Sequence, residues 1–409
     1  MAQLMGAPAV ATVSRRAASA QAGIIAASYA MLLAGSNAAY PLLPVYRDSL
    51  GLDPLVLSLT FTLYVAVLVP VLSILARPRF TRHAPALVLL SLTMMIPSDL
   101  LMAHAHEDSI LGGRMLAGIA GGLGTGAASA LVVAAIGATG RAVTATGNTI
   151  GAILGVSGAQ LAVLVLSADA PQTVFLVHAA LSFALLAAAA AILWQRREPN
   201  RLALSALPGI RTSARPGRSS LPLFTSGTIA WTSISIAAVF GAPIFNELNM
   251  PSVQSLGPIL LVCGSAAGQL LSPALARVAP WISGTITMAT GVLLILAGAY
   301  LRLDPVAISG FVVIGAGIGI AYRAALVMLT RGSDPARQGA TASLYAAITY
   351  AVAALVVLVI GWIGNTTGLV PATVAALITT GALAIAALAF SPRLGGTTDL
   401  ISTQRPGKA

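Results

Sequence analysis

The sequence predicts an all-α membrane protein, with twelve transmembrane helices in two six-helix bundles related by pseudo-two-fold symmetry. Composition is the first of three observations that support this fold class. Of the 409 residues, 57% are hydrophobic and 8% are charged. Roughly a quarter of the residues in a soluble domain are charged. We therefore interpret the chain as an integral membrane protein in contact with lipid.

The second observation is the number of long apolar stretches. About 20 helical residues cross the hydrocarbon core of a bilayer, and twelve stretches reach that length. We place these spans at residues 21–46, 55–76, 84–105, 109–136, 142–166, 172–194, 222–246, 253–276, 281–301, 305–329, 338–363 and 369–390.

The third observation is the placement of the basic residues, which alternates from one break to the next. One side of the membrane receives Arg15, Arg16, Arg77, Arg79, Arg82, Arg141, Arg196, Arg197, Arg201, Arg211, Arg215, Arg218, Arg277, Arg331, Arg337, Arg393, Arg405 and Lys408. The other side receives Arg47 and Arg302 with most of the acidic residues. Cytoplasmic loops are enriched in Lys and Arg, so we expect both termini in the cytoplasm, in a bacterial inner membrane. Because topology explains the net charge of +11, we expect no nucleic-acid partner.

The longest polar segment divides the chain into halves. We expect a cytoplasmic N-terminal tail at 1–19, an N-terminal bundle at 20–194, a basic cytoplasmic linker without packed structure at 195–221, a C-terminal bundle at 222–390 and a cytoplasmic tail at 391–409. The halves repeat each other faintly. Residues 122–132 align with 317–327, and Leu-Ala-Arg at 75–77 recurs at 275–277. Such repetition is typical of transporters built by duplication.

The fourth and fifth spans combine glycines with one intramembrane cation. Gly147, Gly151 and Gly155 lie four residues apart, so they share one helical face and permit close approach of a neighbouring backbone. Arg114 lies within the fourth span. A charge in the bilayer is costly, so this side chain should face a protein interior or a wet cavity.

These residues resemble the major facilitator superfamily of secondary transporters, over nearly the whole chain. Arg114 followed by Gly118 is similar to the family's fourth-span motif. The three glycines of the fifth span resemble the first part of a motif of the drug/proton antiporter branch, although Val156 replaces its proline. The loop after the second span departs from the family pattern, because Pro78 stands in place of an aspartate.

The resemblance implies alternating access, with two bundles rocking about a central cavity. Spans one, four, seven and ten would line the cavity, and spans two, five, eight and eleven would form the moving contact between bundles. We therefore assign Gly118, Gly147, Gly151 and Gly155 to helix packing and gating.

Asp99 is the only carboxylate well inside a span. It lies at a depth similar to that of Arg114 on the consecutive antiparallel helix, roughly 9 Å from the outer turn at 1.5 Å per residue. Three arrangements are therefore open: the two residues pair as a proton-coupling group, they pair as a structural ion pair, or they make no contact. His178 is interpreted as a helix-packing histidine.

Several polar and aromatic residues lie on the spans expected to line the cavity. The candidate substrate residues are Asn37, Tyr40, Trp231, Ser235, Tyr322, Arg323 and Tyr345. Each has the alternative of packing between helices or anchoring at the membrane interface, and Arg323 has that of reaching out to the inner interface.

We therefore predict a secondary transporter, most consistent with proton-coupled efflux of a small drug-like or metabolite molecule. The alternative is an importer or facilitator of a small organic anion or metabolite. We find no motif for hydrolysis, phosphate binding or metal ligation, so neither an enzyme, a cofactor nor a metal is expected. The expected partners are a small-molecule substrate, protons and lipid, and the chain is expected to be a monomer.

Overall fold

Helices dominate the structure, a computed structural model that describes residues 7–75, 77–205, 220–330 and 335–397. The helices in these ranges are α1 (Ala7–Leu50), α2 (Pro54–Leu75), α3 (Ala84–Ala103), α4 (Glu107–Ile136), α5 (Gly140–Leu166), α6 (Ala170–Gln195), α7 (Arg197–Ser205), α8 (Leu221–Glu247), α9 (Pro251–Val278), α10 (Gly284–Leu301), α11 (Asp304–Thr330), α12 (Pro335–Thr367) and α13 (Leu369–Ala386). The basic residues predicted at 206–219, 331–334 and 398–409 lie outside the described residues.

Twelve of these helices have the length and composition of membrane spans. Within the described ranges, eleven stretches qualify, and one of them, Thr146–Gln195, contains both α5 and α6. A short 3-10 turn at Ser167–Asp169 separates those two helices. The twelve-span prediction is confirmed, with α8–α13 as spans seven to twelve.

The two sets of six spans pack with the same pattern of neighbours. In the N-terminal half, α4 packs against α1, α2 and α3, and α1 also packs against α5 and α6. In the C-terminal half, α11 packs against α8, α9 and α10, and α8 also packs against α12 and α13. The fold is therefore two six-helix bundles related by pseudo-two-fold symmetry, as predicted.

Glycine contacts fix the register of this symmetry. A Cβ on Gly118 of α4 would lie 3.3 Å from the backbone nitrogen of Leu68, and one on Gly315 of α11 would lie 3.1 Å from that of Ser265. Gly315 lies 197 positions after Gly118, and Ser265 lies 197 positions after Leu68. The same distance along the chain separates Gly319 from Gly122. The two sequence matches implied offsets of 195 (residues 122–132 with 317–327) and 200 (residues 75–77 with 275–277). They are therefore wrong by two and three residues.

The glycines of α5 pack inside the N-terminal half. A Cβ on Gly151 would lie 3.0 Å from the Cα of Ala30, and one on Gly155 would lie 2.8 Å from the Cα of Ala34. Gly147 faces the carbonyl oxygen of Ala26. The predicted close helix packing is present, but its partner is α1 of the same half. The assignment of this glycine face to the contact between bundles is therefore corrected.

Polar contacts join the two halves at the end where α1 finishes and α2 begins. Arg47 forms an ion pair with Glu247, and the backbone nitrogen of Leu55 donates to Oδ1 of Asn365 at 2.8 Å. Nearby, Asn246 Nδ2 donates to Asp48 Oδ2 at 3.1 Å. The halves are closed against each other at this end, which the arginine pattern predicts to be the outer one.

The segment predicted as an unstructured linker begins with a helix. α7 packs against α4 and against the 3-10 turn at Pro78–His83. Gln21 Nε2, at the other end of α1, donates to Oδ1 of the buried Asn200 at 2.9 Å. The first part of the linker therefore belongs structurally to the N-terminal half.

α1 carries two prolines, Pro41 and Pro44. A proline has no N–H, so each leaves the carbonyl four residues earlier without its helical donor. These carbonyls belong to Asn37 and Tyr40, near the middle of the membrane.

Gly151→Ala should lower thermal stability, because the added methyl group meets the α1 backbone rather than a flexible side chain. We expect a cost of about 1–3 kcal/mol, measured by thermal unfolding in detergent. Gly158→Ala is the matched control, since a Cβ there meets nothing within 4 Å. Equal effects of the two substitutions would contradict the α1–α5 packing.

Candidate functional site

A buried arginine lies where three helices of the N-terminal half meet. Arg114 on α4 is 1% exposed. Its Nε donates to the carbonyl oxygen of Thr60 on α2 at 2.7 Å, and its Nη1 donates to that of Ser36 on α1 at 2.9 Å. Gly118, one turn further along α4, lets α2 approach closely enough for the first bond. The Arg-Gly pair thus places a cation among backbone carbonyls.

Two tyrosine rings flank this guanidinium group. Its Cζ lies 4.6 Å from the ring centroid of Tyr64 and 5.7 Å from that of Tyr40. Cations are attracted to the faces of aromatic rings, so the rings partly offset the cost of burying the charge. Nη2 of Arg114 has no partner at hydrogen-bonding geometry among the described residues, although the Tyr40 hydroxyl lies close to the guanidinium group.

Aromatic side chains of the C-terminal half form a stack on the other side of the centre. Trp231 of α8 stacks on Tyr350 of α12, with centroids 4.4 Å apart and an interplanar angle of 22°. Tyr322 of α11 lies 5.4 Å from Trp231 and 5.1 Å from Tyr345. Three of the predicted substrate residues therefore lie in one cluster.

Tyrosines of both halves lie around Tyr350. Tyr322 of its own half and Tyr29, Tyr40 and Tyr64 of the other half are near enough for charges on their hydroxyl groups to be felt at Tyr350. We call the set Tyr29, Tyr40, Tyr64, Trp231, Tyr322 and Tyr350 the central aromatic site. It is built from α1, α2, α8, α11 and α12, so any movement of one half against the other changes its shape.

The charge at this site is positive. Arg114 contacts two of its tyrosines, and no carboxylate of the described residues forms an ion pair with Arg114. The stacked rings suit a planar organic molecule, and the tyrosine hydroxyls can both donate and accept hydrogen bonds. The arrangement favours a neutral or anionic ligand over a cation.

The predicted pairing of Asp99 with Arg114 is not present. Asp99 is fully buried, and its Oδ2 lies 2.7 Å from Nδ1 of His178 on α6. His178 Nε2 in turn lies 2.9 Å from the carbonyl oxygen of Met31 on α1. The pairing was expected because Asp99 and Arg114 lie at the same depth in the membrane. The side chain of Arg114 instead points toward α1 and α2, where its two hydrogen-bond acceptors lie. A carboxylate needs a partner in the membrane, and here the partner is a histidine.

The remaining predicted substrate residues are bonded within or between helices. Arg323 donates to the carbonyl oxygen of Gln269 on α9. Ser235 Oγ donates to the carbonyl oxygen of Trp231 at 2.8 Å, and Asn37 Nδ2 to that of Leu33 at 2.8 Å. Tyr345 is fully buried against Phe224.

Three members of the site were missing from the predicted substrate residues: Tyr29, Tyr64 and Tyr350. A signal for them was present in the sequence, because the five tyrosines of the site, of eight in the chain, lie on four of the predicted spans. Tyrosine clustered on spans one, two, ten and eleven would have indicated the site. The histidine partner of Asp99 carried a weaker signal, a lone ionisable side chain in the sixth span.

The fold and the site indicate a membrane transporter, with two bundles that both contribute side chains to one central aromatic site. The sequence profile of the Major Facilitator Superfamily matches residues 25–357. The chain belongs to this superfamily and is a transporter of small molecules, not an enzyme. A comparison with curated proteins gives no match.

Solved structures of the superfamily resemble the chain closely in fold. The nucleoside transporter NupG has a TM-score of 0.66 at 13% identity, over 90% of this chain and 98% of that one. A bacterial homologue of the human lysosomal transporter Spinster, in an inward-facing and occupied conformation, has a TM-score of 0.64 at 13% identity, over 95% and 98%. At this identity the likeness shows the fold alone.

Arg114→Lys should destabilise the protein, since an ammonium group cannot reproduce the two directed bonds of the guanidinium fork. The buried carbonyls left without donors should cost about 1–3 kcal/mol. The measurement is thermal unfolding together with transport. Arg302→Lys is the control, because Arg302 also donates to a backbone carbonyl but at an exposed position. A loss of stability no greater than that of Arg302→Lys would contradict the role given to Arg114.

Proposed function

We propose that this transporter exports a small organic molecule, drug-like or a metabolite, in exchange for protons. The observation that carries the proposal is the central aromatic site, in which stacked rings of one half lie near tyrosines of the other. Such a surface binds through planar contact and hydrogen bonds rather than through charge pairing. Placement in the drug/proton antiporter branch is part of the proposal, supported by the glycines of α5.

Coupling to protons requires an ionisable group within the membrane. Asp99 is buried in α3 and has His178 as its partner. Intramembrane carboxylates and histidines mark proton relays in many transporters. We therefore assign the coupling role to Asp99 and place Arg114 at the substrate site instead.

A specific observation favours a second candidate, a facilitator or importer of a small organic anion. Arg114 carries a buried nitrogen without a partner, and the described residues give it no ion-paired carboxylate. An anionic group on the substrate would supply the missing acceptor. In this case transport would follow the substrate gradient and need no protons.

Trp231→Leu should reduce transport by about tenfold, because it removes the ring on which a planar substrate would stack, a contact of about 0.5–1.5 kcal/mol beyond area burial. The measurement is counterflow into proteoliposomes, using uridine, chloramphenicol, benzoate and ethidium as probes. Trp281→Leu is the control, since Trp281 is exposed and lies in a loop. Preferential movement of ethidium would contradict the positive charge assigned to the site.

Asp99→Asn should abolish proton movement driven by substrate while leaving counterflow in place. A neutral amide cannot release a proton, although it fills the same space. Proton flux is followed with a pH-sensitive dye inside the vesicles, with Asp169→Asn, an exposed carboxylate, as the control. Proton flux in Asp99→Asn equal to that of the wild type would contradict the exchange mechanism. If benzoate is the one probe transported, and it moves without protons, the facilitator is favoured.

A further inference from the structure

The contacts of His178 determine how many hydrogens its ring carries. Nε2 lies 2.9 Å from the carbonyl oxygen of Met31, which can only accept a hydrogen bond. Nε2 therefore bears a hydrogen. The contact of 2.7 Å between Nδ1 and Oδ2 of Asp99 needs a second hydrogen, on the nitrogen or on the oxygen.

Both hydrogen bonds together require one bound proton. With it, the pair is either an imidazolium with a carboxylate or an imidazole with a carboxylic acid, and the net charge is zero in both cases. Neutrality suits the position, because Asp99 is fully buried and burial of an uncompensated charge is costly. The structure thus corresponds to the proton-loaded form of the pair.

Removal of that proton must break one of the two contacts. The single ring hydrogen that remains can serve either Asp99 or Met31. The carboxylate is the stronger acceptor, so the hydrogen goes to Nδ1. A lone pair on Nε2 then faces the lone pairs of the Met31 carbonyl at 2.9 Å, and the contact becomes repulsive.

The ring is packed against α1 so closely that this repulsion acts on the helix itself. A Cβ on Gly35 would lie 2.7 Å from Nε2 of His178, so the ring touches the α1 backbone. The carbonyl of the next residue, Ser36, accepts the bond from Arg114. One turn further along α1 is Tyr40, a member of the central aromatic site.

We propose that Asp99 and His178 form a proton-binding site set apart from the central aromatic site, and that proton release shifts α1 and thereby the substrate site. The inference rests on the proposed exchange with protons and adds where the proton binds and how it acts. His178 is a positioning residue here, since it reaches the substrate site only through α1.

Other ionisable groups do not compete for this role. Asp99 from α3 and the Met31 carbonyl from α1 are the groups that interact with the ring, and His178 is the one charged neighbour of Asp99 in the described part of the chain. The described residues of α5 bring no ionisable side chain against the ring. A change in proton occupancy at this site therefore belongs to the pair.

His178→Gln tests the proposal in proteoliposomes, with counterflow and substrate-driven proton flux measured side by side. We expect proton flux to fall about tenfold or more, within the range of site-to-site coupling, while counterflow persists. Ser182→Ala is the matched control, one turn away on the same buried face of α6. Proton flux at the wild-type level in His178→Gln would overturn the proposal.

A second measurement detects the hydrogens on the His178 ring directly. It depends neither on transport nor on the folding of a His178 variant. The other histidines, His83, His104 and His106, are exposed and can be replaced together by glutamine. Nitrogen NMR of the remaining ¹⁵N-labelled ring in nanodiscs should show a hydrogen on Nε2 in the loaded form and its loss on raising the pH. A ring without hydrogen on Nε2 in the loaded form would overturn the proton site. If none of the four probes named above shows counterflow in the wild-type protein, the proposed transport function is refuted instead.

Discussion

The N-terminal half depends on one buried cation and the carbonyl groups that hold it. Arg114 draws α1, α2 and α4 together through Ser36 and Thr60, and the membrane makes each bond expensive to lose. The register of the symmetry puts Phe311 at the corresponding place in the C-terminal half, 197 positions on. That ring packs against Gly257 and lies 5.7 Å from Phe245. At this position one half is therefore joined by directed polar bonds and the other by apolar contact.

This asymmetry gives the halves different tasks. The polar half contains the cation, the Asp99–His178 pair and a helix, α1, that is bonded to both. The apolar half supplies the aromatic stack and, through Glu247 and Asn365, contacts that close one end of the molecule. In the proposed mechanism, substrate contact is shared between the halves, whereas the proton-binding pair lies in the N-terminal half.

Much of the fold could be predicted from sequence because the bilayer restricts the choices. Apolar length gave the twelve spans, and the charges of the loops gave a consistent topology. The rotation of each helix about its own axis could not be predicted from the sequence. Asp99 and Arg114 lie at the same depth, and which neighbour each faces depends on side-chain packing among several helices. The same reason explains why the glycines of α5 were assigned to the wrong neighbour.

The residues of the site were predicted only in part for a related reason. Tyr40, Trp231 and Tyr322 were found because their spans were expected to line the cavity, but Tyr64 lies on a span expected to form the moving contact. The linker helix was missed because its binding to the N-terminal half depends on Gln21 and Asn200, which are 179 positions apart.

The prolines of α1 have a mechanical consequence. His178 and Arg114 hold the helix at Met31 and Ser36, on the inner side of Pro41 and Pro44. Beyond Ser36, two backbone hydrogen bonds are missing within one turn of α1, because Pro41 and Pro44 have no N–H to donate. The helix therefore bends most easily there. If the proposed displacement occurs at the held turn, the part of α1 beyond the prolines would move with the largest amplitude, and that part ends in Arg47 and its ion pair with Glu247.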